Sequence, residues 1–100
     1  MKITGNVKIA GYKHKVERPT EAFVEGNQIC DGIYSFVQQT IKVANVGNQE
    51  YQNTVFLHEI CHGIIENYCR GSDTYDEEKF VEQFSKGLYQ VICDNPEIFR

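Results

Sequence analysis

The segment between Asn48 and Gly71 restricts this chain more than any other. Tyr51, Val55, Phe56, Leu57, Ile60, Ile64, Ile65 and Tyr68 recur through it at helical spacing. Asn48 carries a side chain suited to capping the first turn, and Gly71 tolerates the left-handed conformation that ends a helix. Apolar residues surround the middle of this helix on nearly every side, so it is expected to be buried on several faces. With 100 residues in all, near the lower end of what builds a self-sufficient core, the chain is expected to form one domain over residues 1–100.

A second helix is predicted to open at Ser72-Asp73-Thr74. Thr74 and Glu77 have capping-box spacing there, and Asp76 and Glu78 complement the positive end of the dipole. Phe80, Val81, Phe84, Leu88, Val91 and Ile92 form its apolar stripe, which stops before Asn95-Pro96. The intervening turn is very short, so the two helices are expected to pack antiparallel. Upstream, Val7, Ile9, Tyr12, His14 and Val16 alternate with charged residues around Gly11, which predicts a hairpin ended by Arg18-Pro19. More strands are expected over residues 29–36 and 40–44, with a turn near 37–39, while residues 21–26 read equally as short helix or loop. The predicted class is α+β: a small, mostly antiparallel N-terminal sheet packed on two antiparallel C-terminal helices.

Inside the first helix lies Val55-Phe56-Leu57-His58-Glu59-Ile60-Cys61-His62-Gly63-Ile64-Ile65. Positions 58 and 62 are one helical turn apart on one face, so two imidazoles can reach a single cation. Glu59 stands about 100° round the axis, able to reach a water on that cation. Zinc suits this mixture of imidazole and carboxylate. Two histidines and a glutamate are also costly in the middle of the most apolar helix unless something satisfies them. Without a metal, the same histidines would be core residues bonded to backbone carbonyls, and Glu59 an ordinary helix carboxylate.

A catalytic zinc has three protein ligands and an open position. Glu82, twenty residues beyond His62, is the choice for the third, because no cap or dipole argument explains a carboxylate in the middle of the partner helix. Glu78, one turn earlier, is its competitor; Glu77 is committed to the capping box, and His14 and Cys69 are the remaining candidates. Tyr68, Tyr75, Tyr89 and His14 qualify by residue type as oxyanion donors.

Composition narrows the classes further. Hydrophobic residues make up 41% and charged residues 24%, which fits a globular chain and neither a disordered nor a low-complexity one. A net charge of -4 argues against a general nucleic-acid binder, and the only basic cluster, Lys13, His14, Lys15 and Arg18, reads as a solvated strand face. No stretch approaches the roughly 20 apolar residues of a membrane span, and the N-terminus lacks a secretory apolar core, so no membrane partner and a cytoplasmic address are expected. Cys30, Cys61, Cys69 and Cys93 form no CxxC pair. Cys61 and Cys69 stand about 12 Å apart along one helix, too far to bridge, so reduced and mostly buried thiols are expected.

The run from Thr54 to Ile64, preceded by Gln39-Thr40-Ile41-Lys42-Val43 and followed by residues 81–92, resembles small bacteriophage and prophage proteins related to the ImmA/IrrE and minigluzincin metallopeptidases. The resemblance runs from about Ile29 onward and is most specific in the HExxH helix. It implies a zincin-like core. It also implies a glutamate on the following helix as third ligand, which favours Glu82 over Glu78. The expected activity is zinc-dependent peptide hydrolysis of a protein or peptide substrate, with Glu59 as general base. The substrate is expected to add to an exposed sheet edge along Thr40 to Ala44. The other class open to this sequence is a catalytically inactive zincin-fold phage interaction module, metal-stabilised or metal-free, that keeps the fold to hold a partner.

Overall fold

A computed structural model of the chain describes residues 1–69 and 77–100, with the side chains at positions 77, 78, 81 and 82 outside that description. The elements run β1 (Asn6–Ile9), β2 (Tyr12–Glu17), β3 (Phe23–Glu25), β4 (Gln28–Cys30), β5 (Gly32–Ser35), β6 (Thr40–Val43), α1 (Gln49–Tyr68), α2 (Glu77–Asp94) and α3 (Pro96–Phe99). The architecture is α+β. Four strands form one sheet in the order β1-β2-β6-β5, and β3 and β4 form a separate two-stranded hairpin.

Alternation dictates how the sheet is used. Val7 pairs with His14, Val16 with Ile41, and Ile41 in turn with Tyr34, so these side chains share the inner face. Lys8 pairs with Lys13 and Lys42 with Glu17, so the charged positions share the outer one. The β1–β2 turn is Ala10-Gly11, with φ of 56° and 82°, the doubly positive geometry that a two-residue hairpin loop demands. β2 and β6 run parallel while the other two neighbouring pairs are antiparallel, so the sheet is mixed.

Phe56, Ile60 and Ile64 of α1 pack on Val7, Ile9, Ile41 and Val43 of the sheet, and Val91 and Ile98 close the cluster from the C-terminal helices. Each such side chain contributes about 1.5–3 kcal/mol by leaving water. Buried Asn95 ties the end of α2 to β1: its Oδ1 accepts from Lys8 N (2.8 Å) and its Nδ2 donates to Lys8 O (2.9 Å) and Val91 O (2.8 Å). Asn48 caps α1 as expected, accepting from Tyr51 N at 2.8 Å. The helix stop at Gly71 and the Thr74–Glu77 capping box lie outside the described residues. α2 ends before Asn95-Pro96, and Pro96 opens the additional short helix α3.

Several expectations are corrected. Residues 21–26 are neither helix nor loop but contain β3, because Gly26 at φ 60° and Asn27 make a two-residue turn into β4. The strand expected over 29–36 breaks at Asp31, whose carbonyl accepts from Ala44 N (2.7 Å), and its halves join different sheets. α1 buries one side only, since Tyr51, Leu57 and Ile65 remain exposed; the sheet and α2 cover a single flank. Within the basic cluster Lys13, Lys15 and Arg18 are exposed as expected, but His14 faces the core, and Arg18 also clamps the chain by donating to Val43 O (2.8 Å) and to the Gln52 side chain. Among the four free cysteines only Cys69 is buried, against the expectation of mostly buried thiols. Among the described residues no helix is long and apolar enough to cross a membrane.

Candidate metal centre

One turn of α1 separates His58 from His62, and the helix brings their Nε2 atoms to 3.1 Å, with ring planes inclined at 72°. Two imidazole nitrogens bound tetrahedrally to one zinc at ~2.0–2.1 Å would stand about 3.3 Å apart. The spacing therefore suits a shared ion, and it equally suits a ring-to-ring hydrogen bond. Neither ring is bonded to a backbone carbonyl among the described residues. Both are exposed, contrary to the expectation of a motif buried in the middle of an apolar helix, because this face of α1 looks into an open cleft.

Glu59 is the buried member of the motif, with 6% of its surface exposed. Its carboxylate has no hydrogen-bond partner among the described residues. Desolvation pushes its pKa up from the usual carboxylate value, and the two neighbouring imidazoles pull it partly back. Gly32 of β5 explains how the strand gets so close: a Cβ there would lie 2.5 Å from Val55 Cγ1 and 2.9 Å from Glu59 Oε2.

The cleft has two arms. A cavity of about 460 Å³ is walled by the β3–β4 hairpin (Glu25, Gln28, Cys30), by β5, and by His58, Glu59, His62 and Glu66 of α1. A second, of about 370 Å³, extends the other way past Val55 to Tyr51 and Asp31, whose side chains are hydrogen-bonded to each other. Gly32, His58 and Glu59 line both. The motif thus sits where the two arms join, and β5, not the Thr40–Ala44 strand, forms the sheet edge beside it. β6 is internal, flanked by β2 and β5, which corrects the expected docking strand.

Beneath the site, His14 is fully enclosed. Its Nδ1 lies 2.9 Å from Tyr12 O and its Nε2 2.9 Å from Tyr34 Oη, while Asn67 Nδ2 donates both to Tyr34 Oη (3.0 Å) and to Gly63 O (2.7 Å). A carbonyl only accepts, so Nδ1 carries the proton, Nε2 accepts from the Tyr34 hydroxyl, and that oxygen accepts from Asn67. Burial lowers the His14 pKa, with the bond to Tyr12 acting the other way. His14 is therefore a neutral brace between β2, β5 and α1, and neither a metal ligand nor an oxyanion donor.

The third ligand assigned to Glu82, like its competitor Glu78, falls on a side chain outside the described residues. Among the described residues no group of three or more His, Cys, Asp and Glu side chains gathers on one point. Cys69 caps the end of α1, and Tyr68 donates to Gln90 Oε1 (3.0 Å); neither lines the cleft, nor does Tyr89, and Tyr75 lies outside the described residues. Sequence reasoning missed Gly32, Tyr34, Glu25, Gln28 and Glu66. Glu66 continues the His58–His62 face by one more turn, a signal present in the periodicity. No family model, curated protein or solved structure matches the chain.

Proposed function

We propose that this chain is a zinc-dependent metallopeptidase of the HExxH class with a zincin-like core, in which His58, His62 and Glu82 hold the ion and Glu59 is the general base. The observation that carries this reading is the convergence of two imidazole Nε2 atoms at 3.1 Å beside a buried carboxylate with no hydrogen-bond partner among the described residues, where both arms of a cleft meet. A structural pair of histidines needs neither the cleft nor the carboxylate.

When bound, zinc supplies a Lewis acid for the scissile carbonyl and lowers the pKa of a water from about 16 toward 7. Glu59 takes a proton from the attacking water on a carboxylate oxygen and returns it to the leaving amine nitrogen. Burial raises its pKa above the usual carboxylate value, the direction that favours a group taking up a proton. Gly32 lets β5 pack directly against this carboxylate. The peptide main chain adds to the open edge of β5, which places substrate residues in both arms.

A second reading has one observation in its favour: 3.1 Å is also a good hydrogen bond, so the rings satisfy each other in a metal-free interaction module. Metal analysis of protein purified without added metal or chelator, with add-back, separates the two. The peptidase reading expects close to one zinc per chain, lost in His58→Ala and His62→Ala. Glu59→Gln should keep the metal and lose about 10²–10⁴-fold in cleavage rate. Failure to bind zinc even after add-back would sink the reading.

A further inference from the structure

Several carboxylates line the larger cavity. Glu25 on the hairpin, Glu66 on α1 and Glu59 between them line it, and among the described residues no lysine or arginine does. Glu59 is also more than nine-tenths buried, without a hydrogen-bond partner among the described residues, and borders this space. Ile33, Tyr34 and Phe36 supply an apolar wall between the acidic groups. A positive head on a long methylene stem matches such a lining, because the stem covers apolar surface while the head reaches a carboxylate.

The hairpin explains which carboxylate takes that head. Glu25 and Gln28 face each other across the Gly26-Asn27 turn, so their side chains leave the hairpin on one face, and both line the cavity. Val24 and Ile29, on the opposite face, are exposed. Glu59 is occupied by proton transfer under the reading above.

We propose that this cavity is a specificity subsite for a lysine or arginine side chain of the peptide substrate, with Glu25 as the residue that selects the positive charge. The proposal rests on the peptidase reading for its substrate, but its test does not depend on turnover. Three sets of fluorescent peptides, randomised except for Arg, Gln or Glu at one central position, are titrated against the zinc-loaded Glu59→Gln protein and followed by anisotropy. The Arg set should bind about 1.4- to fivefold tighter than the Glu set, the range expected of a partly exposed charge pair. Adding Glu25→Lys should abolish or reverse that order, and Glu25→Gln should level it; an unchanged circular-dichroism spectrum checks that the fold persists. Arg and Glu sets that bind alike, or not at all, overturn the subsite, as does a preference that survives Glu25→Lys. Digestion of the same sets by the wild-type chain separates the two ideas. Cleavage without a basic preference sinks the subsite and keeps the peptidase, whereas an Arg preference in binding with no cleavage of any set does the reverse.

Discussion

At the residue scale, His14 is the most exacting group in the chain, because one buried ring must donate to a carbonyl and accept from a hydroxyl at once. Only the neutral form does both. Its pKa is depressed in the fold, so above pH ~6.5 neither the folded nor the unfolded chain protonates it and its contribution to stability is complete. As the pH falls below that, the unfolded chain takes up a proton that the folded chain refuses. Stability then declines by at most about 1.4 kcal/mol per pH unit until the depressed folded pKa is passed, where the slope ends. Glu59 works in the opposite sense, since its raised pKa makes the folded chain bind a proton more readily on acidification. Urea unfolding of the wild type and of His14→Phe between pH 7 and 5 isolates the histidine. The wild type should lose stability relative to the variant as the pH drops, and parallel curves would remove His14 as the acid-sensitive group. Alternation aligned His14 with Val16 on β2, but its basic neighbours made it read as part of a solvated face, and nothing hinted that Tyr34 and Asn67 would absorb it. Those partners are 20 and 53 positions away, and nothing local encodes them.

At the element scale, α1 comes down on the sheet where it has no side chain. A Cβ on Gly63 would lie 2.6 Å from Ile9 Cδ1 and 3.0 Å from Tyr34 Cε1. Ile9 is fully buried and Tyr34 is held by His14 and Asn67, so neither has free space to retreat into. Gly63→Ala gains about 1 kcal/mol in helix propensity and loses about 1–3 kcal/mol to overpacking. The net expectation is a destabilisation of roughly 1 kcal/mol, read as a lower denaturation midpoint at an unchanged m-value; a more stable variant would mean that the close approach is not a constraint. Elements of this kind were legible wherever their cause is local. The 3.6-residue period gave α1, Asn48 gave its cap, and Gly11 gave the β1–β2 turn. Gly26-Asn27 between Val24 and Ile29 is an equally good turn signal, and weighing it would have replaced the ambiguous stretch by the β3–β4 hairpin. The parallel pairing of β2 with β6 was not legible, because it joins segments more than twenty residues apart through an intervening hairpin and strand. That pairing is what makes β6 internal and β5 the edge, so the docking strand was misplaced for a topological reason. The motif itself needed only helical spacing, whereas Glu25 and Gln28 reach the site through tertiary packing.

For the whole molecule, the question is what a metal would hold together. The core gathers around three residues of α1, and the opposite flank of that helix carries His58 and His62 beside a cleft roofed by a two-stranded hairpin. Hairpins of that size are marginal on their own, so this side of the molecule has little apolar burial to secure it. An ion shared by His58, His62 and a third ligand would secure this side, and binding to the folded chain alone adds stability by mass action. At free zinc a hundredfold above the dissociation constant the gain is about 2.7 kcal/mol. In a chain of this length that corresponds to a rise in Tm of roughly 10–20 °C. Differential scanning calorimetry with zinc and with chelator should show this difference in the wild type and in Glu59→Gln, whose ligands are intact. It should vanish in the double variant His58→Ala, His62→Ala, and shrink in Glu82→Gln if that carboxylate is the third ligand. A Glu82→Gln variant that keeps the full shift while Glu78→Gln loses it would move the third ligand one turn toward the start of α2. Identical melting of the wild type in zinc and in chelator would leave the paired imidazoles as a hydrogen bond and nothing more.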